Sequence, residues 1–258
     1  MSAGVVIVGG GQAGLEAAAA LRTQGYQEPV AIICEEAHAP YQRPPLSKDY
    51  LMGKQEAEHL PLRALAFYEK HHIDLMLGEK VTAIDRVAKR VCLRSGSEAP
   101  VEVPYDSLIL AVGARNRPLP VKGAEHALYL RTLDEADALK QRLAEANGVV
   151  VIGGGFIGLE VAAAARSFGK AVTVIEAMPR LMARAVAPVL SDFFLHVHES
   201  EGVEVMLNTS VAEVERDAVL LSDGRRIPTD LVVAGIGVVP NKELAREAGL
   251  EVANGIVV

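Results

Sequence analysis

The sequence predicts an α/β fold in two domains, each alternating parallel strands with helices. Three observations carry that expectation. A strand, turn, helix, strand unit occurs twice: residues 5–35 read VVIVGGGQAGLEAAAALRTQGYQEPVAIICE and residues 149–176 read VVVIGGGFIGLEVAAAARSFGKAVTVIE. The apolar runs that open the two copies, 5–8 and 149–152, are short, β-branched and free of polar alternation, as strands buried on both faces of a parallel sheet are. The composition, 50% hydrophobic but only 4% aromatic and without tryptophan, suits tightly packed α/β layers, and 258 residues suffice for two domains.

In each copy the first strand runs into glycines, Gly9-x-Gly11-x-x-Gly14 and Gly153-x-Gly155-x-x-Gly158, and then into an alanine-rich helix. These are the positions where a side chain would obstruct the tight turn, the approach of a pyrophosphate and the packing of helix on strand, so each copy is a Rossmann-like dinucleotide-binding module. Residues 9–25 match 153–169 without a gap, and the first copy is longer before its second strand. Each second strand is expected to end in an acid, Glu35 and Glu176, able to accept ribose hydroxyls. Glu176 repels a 2′-phosphate and so favours NADH over NADPH, with Arg180 and Arg184 nearby moderating the preference.

Beyond each module lies a polar, hairpin-like stretch, 87–103 and 211–227, the second turning at Ser222-Asp223-Gly224. Each is followed by a further parallel strand ending in glycine, 105–113 and 229–237, so each domain is expected to carry a small β insertion. The expected division is a first domain over 1–113, a second over 114–240, and a return to the first over 241–258. At the entry of a helix, Thr132 and Glu135 form the expected capping box.

A formal charge of −7 and the absence of Lys/Arg-rich runs argue against nucleic-acid binding. The N-terminus is apolar but cut by glycines and has no basic leading segment, so it reads as neither signal peptide nor membrane span, and a cytoplasmic, membrane-free protein is expected. Cys34 and Cys92 are far apart and apolar-flanked, which favours free thiols over a disulfide. The pairs His71-His72 and His196-x-His198 lack ligands at metal spacing, so no metal is expected.

The segments VVIVGGGQAG, YQRPPLSK, LILAVGARNRPLP, YLRTLDEA, VVVIGGGFIGLEVAA, DLVVAGIGVVPN and GLEVANGIVV resemble, in order, the FAD-dependent, NADH-oxidising ferredoxin reductases of oxygenase systems, the putidaredoxin and rubredoxin reductase type. That resemblance implies FAD in the first module and NAD(H) in the second. It implies that Gly9, Gly11, Ala13 and Gly14 meet the FAD pyrophosphate and Glu35 its ribose. Val81 would lie near the adenine, Ala111 and Gly113 near the flavin's phosphate arm, and Arg43 and Arg131 would contact FAD. In the second module Gly153, Gly155, Ile157 and Gly158 would hold the NAD pyrophosphate, Glu176 and Arg184 its ribose end, and Gly237 the nicotinamide side.

The same resemblance makes Lys48 and Glu160 the catalytic pair, Lys48 near the flavin and Glu160 beside the nicotinamide. The residues alone also allow a helix-start carboxylate for Glu160, a reading that Glu16 shares in the first copy, and a stiff surface turn for Pro44-Pro45. The implied activity is electron transfer from NADH through FAD to a small [2Fe–2S] ferredoxin or rubredoxin, by a monomer or homodimer. Arg115, Arg117 and Lys122 form a candidate basic run for an acidic acceptor. Disulfide reductases share the architecture but place a cysteine pair where this sequence has residues 43–48. Peroxide, nitrite or quinone reductases, or a nucleotide sensor resembling apoptosis-inducing factor, stay as alternatives. The family's Ala-x-Gly-Asp strand and C-terminal domain do not occur before Val258, so an incomplete reductase is expected.

Overall fold

The computed structural model describes residues 3–94 and 101–258. The chain divides into two compact units, one comprising 1–42, 58–115 and 240–258, the other 43–57 and 116–239. The sequence expectation put residues 43–57 in the first unit and the breaks at 113 and 240. The breaks fall instead inside two short strands, and residues 43–57 group with the second unit because their side-chain partners lie there.

The first unit opens with β1 (Val5–Val8), α1 (Gln12–Thr23) and β2 (Val30–Cys34). After α2 (Leu65–Lys70) come β3 (Ile73–Leu77), then β4 (Lys80–Asp85), β5 (Arg90–Arg94) and β6 (Val101–Pro104), and finally β7 (Ser107–Leu110). The parallel sheet has the order β3-β2-β1-β7. Alternate residues of β1 serve its two faces. Val5 and Ile7 pack with Leu15 and Ala18 of α1, while Val6 and Val8 pack with Val91, Leu93 and Tyr105 on the side of the β insertion.

That insertion is a three-stranded antiparallel sheet, β4-β5-β6. It begins at Lys80, earlier than the expected 87–103, because β4 carries half-buried Val81 and Ile84 that complete the core under β5. Part of the expected hairpin, 95–100, lies outside the described residues.

The first break falls within β8 (Ala114–Asn116). The second unit then holds β9 (Ala127–Leu128), α3 (Leu133–Glu145), β10 (Gly148–Ile152), α4 (Phe156–Ser167) and β11 (Ala171–Ile175). It continues with α5 (Pro188–Ser200), β12 (Val203–Met206), β13 (Val211–Val214), β14 (Ala218–Leu221), β15 (Arg226–Pro228) and β16 (Leu231–Ala234). Its parallel sheet has the order β12-β11-β10-β16-β9. Val150 and Ile152 pack against Val214, Val219 and Leu221 of the antiparallel insertion β13-β14-β15. The insertion turns where expected, with Gly224 at φ +90° and its N–H donating to the Leu221 carbonyl.

The second break falls within β17 (Val238–Pro240), after which α6 (Glu243–Glu247) returns the chain to the first unit, where Leu244 joins the core of the β insertion. Gly113 and Gly237 are not strand residues but positive-φ turns beyond β7 and β16. Among the described residues, no helix is long and apolar enough to cross a membrane.

Candidate functional site

The two glycine turns answer the same question in the same way. Gly9 and Gly153 have φ of +117° and +108°, and a Cβ there would stand 2.2 Å from the Ala111 carbonyl oxygen and 2.6 Å from that of Gly235. At Gly14 and Gly158 a Cβ would stand 2.1 Å and 2.0 Å from the carbonyl oxygens of Gly9 and Gly153. The protein's own packing therefore requires those four glycines. Gly11 and Gly155 differ: their φ values of −87° and −86° suit any residue, and a Cβ would meet nothing within 4 Å at Gly11 and only the Gly235 oxygen at 3.9 Å at Gly155.

What a side chain would fill at Gly11 and Gly155 is open space before a helix N-terminus. Neither helix has a side-chain cap, and the first intrahelical bonds are the Leu15 N–H to Gly11 and the Leu159 N–H to Gly155. The amides ahead of them are free to meet an anion, assisted by the helix dipole. A dinucleotide pyrophosphate would fit that space in each unit, where it would meet Gly9, Gly11, Ala13 and Gly14 in one and Gly153, Gly155, Ile157 and Gly158 in the other. Ala13 and Ile157 are exposed at those helix starts, Ile157 at 37%.

The acids at the strand ends are not in matching register. Ile33 pairs with Val8 and Ile175 with Ile152, so Cys34, not Glu35, occupies the place of Glu176. The packing agrees, since a Cβ on Gly10 would meet the Cys34 Sγ and one on Gly154 would meet Leu181 and the Glu176 side chain. Glu35 is one residue further along, exposed, and paired with Lys80 at 2.6 Å. Glu176 is held inward: its Oε2 accepts the Gly154 N–H and its Oε1 the Met178 N–H, both at 2.7 Å. A carboxylate has further lone pairs for a ribose hydroxyl, so the bonds that fix the loop leave that role open.

The arginines near Glu176 differ in freedom. Arg180 donates to the Val186 and Ala183 carbonyls and to Ser191 Oγ, so it is tied into the loop before α5, whereas Arg184 is exposed.

Residues 43–57 bring Lys48 to Glu160 within the second unit. Pro44–Ser47 form a 3₁₀ turn with prolines at its start, where a missing N–H is no loss. Arg43 Nη1 donates to the Arg131 carbonyl at 2.7 Å, and the Tyr50 hydroxyl donates to Asp137 on α3, with Lys140 stacked 4.9 Å from the Tyr50 ring centre. Lys48 Nζ then stands 2.8 Å from Glu160 Oε1, and Ser47 Oγ donates to Oε2 at 2.5 Å. Thr132 and Glu135 beside Arg131 make the expected capping box, with Glu135 also accepting from Asn116.

Because α4 begins at Phe156, Glu160 lies past the first turn, which contains no acid. The helix-start reading of Glu160 is thereby corrected. Ser47 was not singled out from the sequence, where its only signal was its place beside Lys48.

Of the other expected contacts, Val81 is half-buried beside a bulge in β4, Ala111 presents its carbonyl to Gly9, and the Gly113 carbonyl accepts the Asn241 N–H at 3.0 Å. The Gly237 carbonyl accepts the Arg117 N–H at 3.0 Å. The basic run is not a free field. Arg115 binds both oxygens of Glu243, which pushes that carboxyl down to about 2, Arg117 reaches the Val238 carbonyl, and Lys122 pairs with Glu213.

Both cysteines are free, and among the described residues no group of three His, Cys, Asp or Glu side chains could hold a metal. Burial, with Glu36 adding, pushes the Cys34 thiol up to about 12. We expect iodoacetamide at pH 8 to leave Cys34 unmodified in the native chain and to label it once urea unfolds the protein. Native labelling at the unfolded rate, followed by peptide mass spectrometry, would contradict this placement.

The family model described as pyridine nucleotide-disulphide oxidoreductase matches residues 3–258. Rhodocoxin reductase of Rhodococcus erythropolis is 49% identical over 98% of this chain and 60% of its own length. Putidaredoxin reductase CamA of Pseudomonas putida is 44% identical over 98% and 62%. The crystal structure of the ferredoxin reductase for the CYP199A2 system from Rhodopseudomonas palustris superposes with a TM-score of 0.95 at 43% identity, covering 100% of this chain and 64% of that one. A covalent putidaredoxin reductase–putidaredoxin complex superposes with a TM-score of 0.93 at 44% identity, over 99% and 63%. The chain thus spans about 60% of the length of these curated relatives.

Proposed function

This chain belongs to the pyridine nucleotide-disulphide oxidoreductase family, and on that premise we propose that it serves an NADH-dependent flavoprotein reductase passing electrons through FAD to a small iron–sulfur protein of an oxygenase system, a [2Fe–2S] ferredoxin or a rubredoxin. The observation that carries the reading is the pair of open glycine cradles, at Gly11 and Gly155, with the Lys48–Glu160 pair built onto the second. FAD supplies the capacity to take two electrons from a hydride donor and release them singly. The first unit's cradle would hold it, and the second unit's would hold NADH.

The cysteines separate this reading from disulfide reduction. A disulfide reductase needs a thiol pair, and here Cys34 is buried against Gly10 while residues 43–48 present Lys48 and Ser47 instead. Electrons therefore need an external acceptor, and the relatives named for rhodocoxin and putidaredoxin support a small redox protein in that role. Glu176 and the engagement of Arg180 support NADH over NADPH, since no basic group but the exposed Arg184 is left in that loop for a 2′-phosphate.

At the second cradle, Glu160 would lie beside the nicotinamide, and a carboxylate held there stabilises the positive charge the ring gains as it gives up hydride. Stopped-flow mixing tests the whole reading. NADH should bleach the flavin absorbance of the FAD-loaded protein, NADPH should do so more slowly, and a ferredoxin or rubredoxin added next should restore it. Bleaching with no delivery to either acceptor would overturn the reading.

A further inference from the structure

The environment of Ser47 is unlike that of an ordinary surface serine. The residue is 7% exposed, and its hydroxyl donates to Oε2 of Glu160 while its neighbour Lys48 takes Oε1. Two consecutive residues, the last of the 3₁₀ turn and its C-cap, thus hold one oxygen each of a single carboxylate. The turn is stiff before it does so, because prolines fix its start and the N–H groups of Leu46 and Lys48 donate to the carbonyls of Arg43 and Pro45 at 3.0 Å and 2.9 Å. A hydroxyl held in that way forms a charge-assisted bond with little further loss of freedom.

The internal repeat supplies a comparison. Glu16 occupies in α1 the place of Glu160 in α4, but its side chain is 53% exposed and its partner Arg63 stands 3.8 Å away. Exposed pairs of that kind are screened and mobile. Glu160 is 30% exposed, and an ion pair with the half-exposed Lys48 does not by itself account for a fixed carboxylate. The additional buried contact is Ser47.

The geometry points to Ser47 as a positioning residue that locks the Glu160 carboxylate, and through it Lys48, in one arrangement at the NADH-oxidising cradle. The inference rests on the proposed function of that cradle, but its first test does not. In the nucleotide-free chain, Lys48 acylation by an N-hydroxysuccinimide ester is followed by peptide mass spectrometry. Ser47→Ala should raise the Lys48 rate about three- to tenfold, the size of one ordinary lost hydrogen bond. Ser47→Thr should restore it, and Ser47→Ala should add nothing on a Glu160→Gln background. A Lys48 rate that Ser47→Ala leaves at the wild-type value would overturn the inference.

The second arm uses the FAD-loaded protein. Ser47→Ala should slow flavin bleaching at saturating NADH while leaving the NADH dissociation constant nearly unchanged. Equal loss in both would reduce Ser47 to a structural contact and so also overturn the inference. Should the wild-type protein fail to oxidise NADH, the functional reading falls, while Lys48 acylation still decides the role of Ser47.

Discussion

Gly158→Ala should cost the second unit about 3 kcal/mol of stability, whereas Gly155→Ala should cost no more than about 1 kcal/mol and chiefly weaken NADH binding. The two glycines are three residues apart in one turn, and the difference lies in what a methyl group would meet. At Gly158 it would stand 2.0 Å from the Gly153 carbonyl oxygen and 3.2 Å from the Val151 side chain, so helix and strand must separate. The neighbour is backbone in a buried turn and has no rotamer to change.

At Gly155 the methyl would enter open space, with only the Gly235 oxygen 3.9 Å away, and alanine for glycine at an N-cap costs about 0.5–1 kcal/mol. That same space is where a pyrophosphate would approach the free amides of α4. We expect NADH affinity to fall about 10- to 100-fold for Gly155→Ala, the loss of roughly one to two charge-assisted contacts. Urea unfolding followed by tryptophan-independent circular dichroism, with NADH titration by calorimetry, checks both halves. Equal destabilisation by the two substitutions, with NADH binding kept in Gly155→Ala, would refute the division of roles.

The repeat was legible because its signals are local. Gly9 and Gly153 need positive φ, Gly14 and Gly158 need a bare Cα against backbone, and 5–8 and 149–152 need burial on both faces, all of which depend on residues close in sequence. The capping box of Thr132 and Glu135 was legible for the same reason.

The acid at the end of the second strand was not. Matching Glu35 with Glu176 by letter ignores strand pairing, and the longer connection between α1 and β2 hides a shift of one residue, enough to turn a side chain to the other face. The sequence also assigned residues 43–57 by their place in the chain. Their partners, Arg131, Asp137 and Glu160, are far along the sequence, and no spacing rule reports a contact of that length. The ion pairs of Arg115 and Lys122 were hidden for the same reason, since Glu243 and Glu213 are distant from them in the chain.

Lys48→Ala should slow NADH-driven bleaching of the flavin about 10- to 100-fold while changing the NADH dissociation constant by no more than about threefold. The ion pair itself contributes little to folding, because the Lys48 side chain is 47% exposed and that of Glu160 30% exposed. Nor does the substitution leave a buried group without a partner, since Oε2 of Glu160 keeps the Ser47 hydroxyl. The unfolding midpoint should therefore stay within experimental error of wild type, and any loss of rate belongs to the site.

That loss has a physical origin in charge placement. A hydride leaving NADH moves negative charge away from the nicotinamide, and a fixed cation and anion at the cradle can favour that movement only while their orientation is held. With Lys48 gone, Oε1 of Glu160 turns to water and the carboxylate is held at one oxygen only. Lys48→Arg should recover part of the rate, because the charge returns on a broader, planar group that cannot reproduce an ammonium 2.8 Å from a single oxygen. A bleaching rate unchanged in Lys48→Ala, measured at saturating NADH, would remove Lys48 from the proposed electron-transfer site and leave it as the end of a rigid turn.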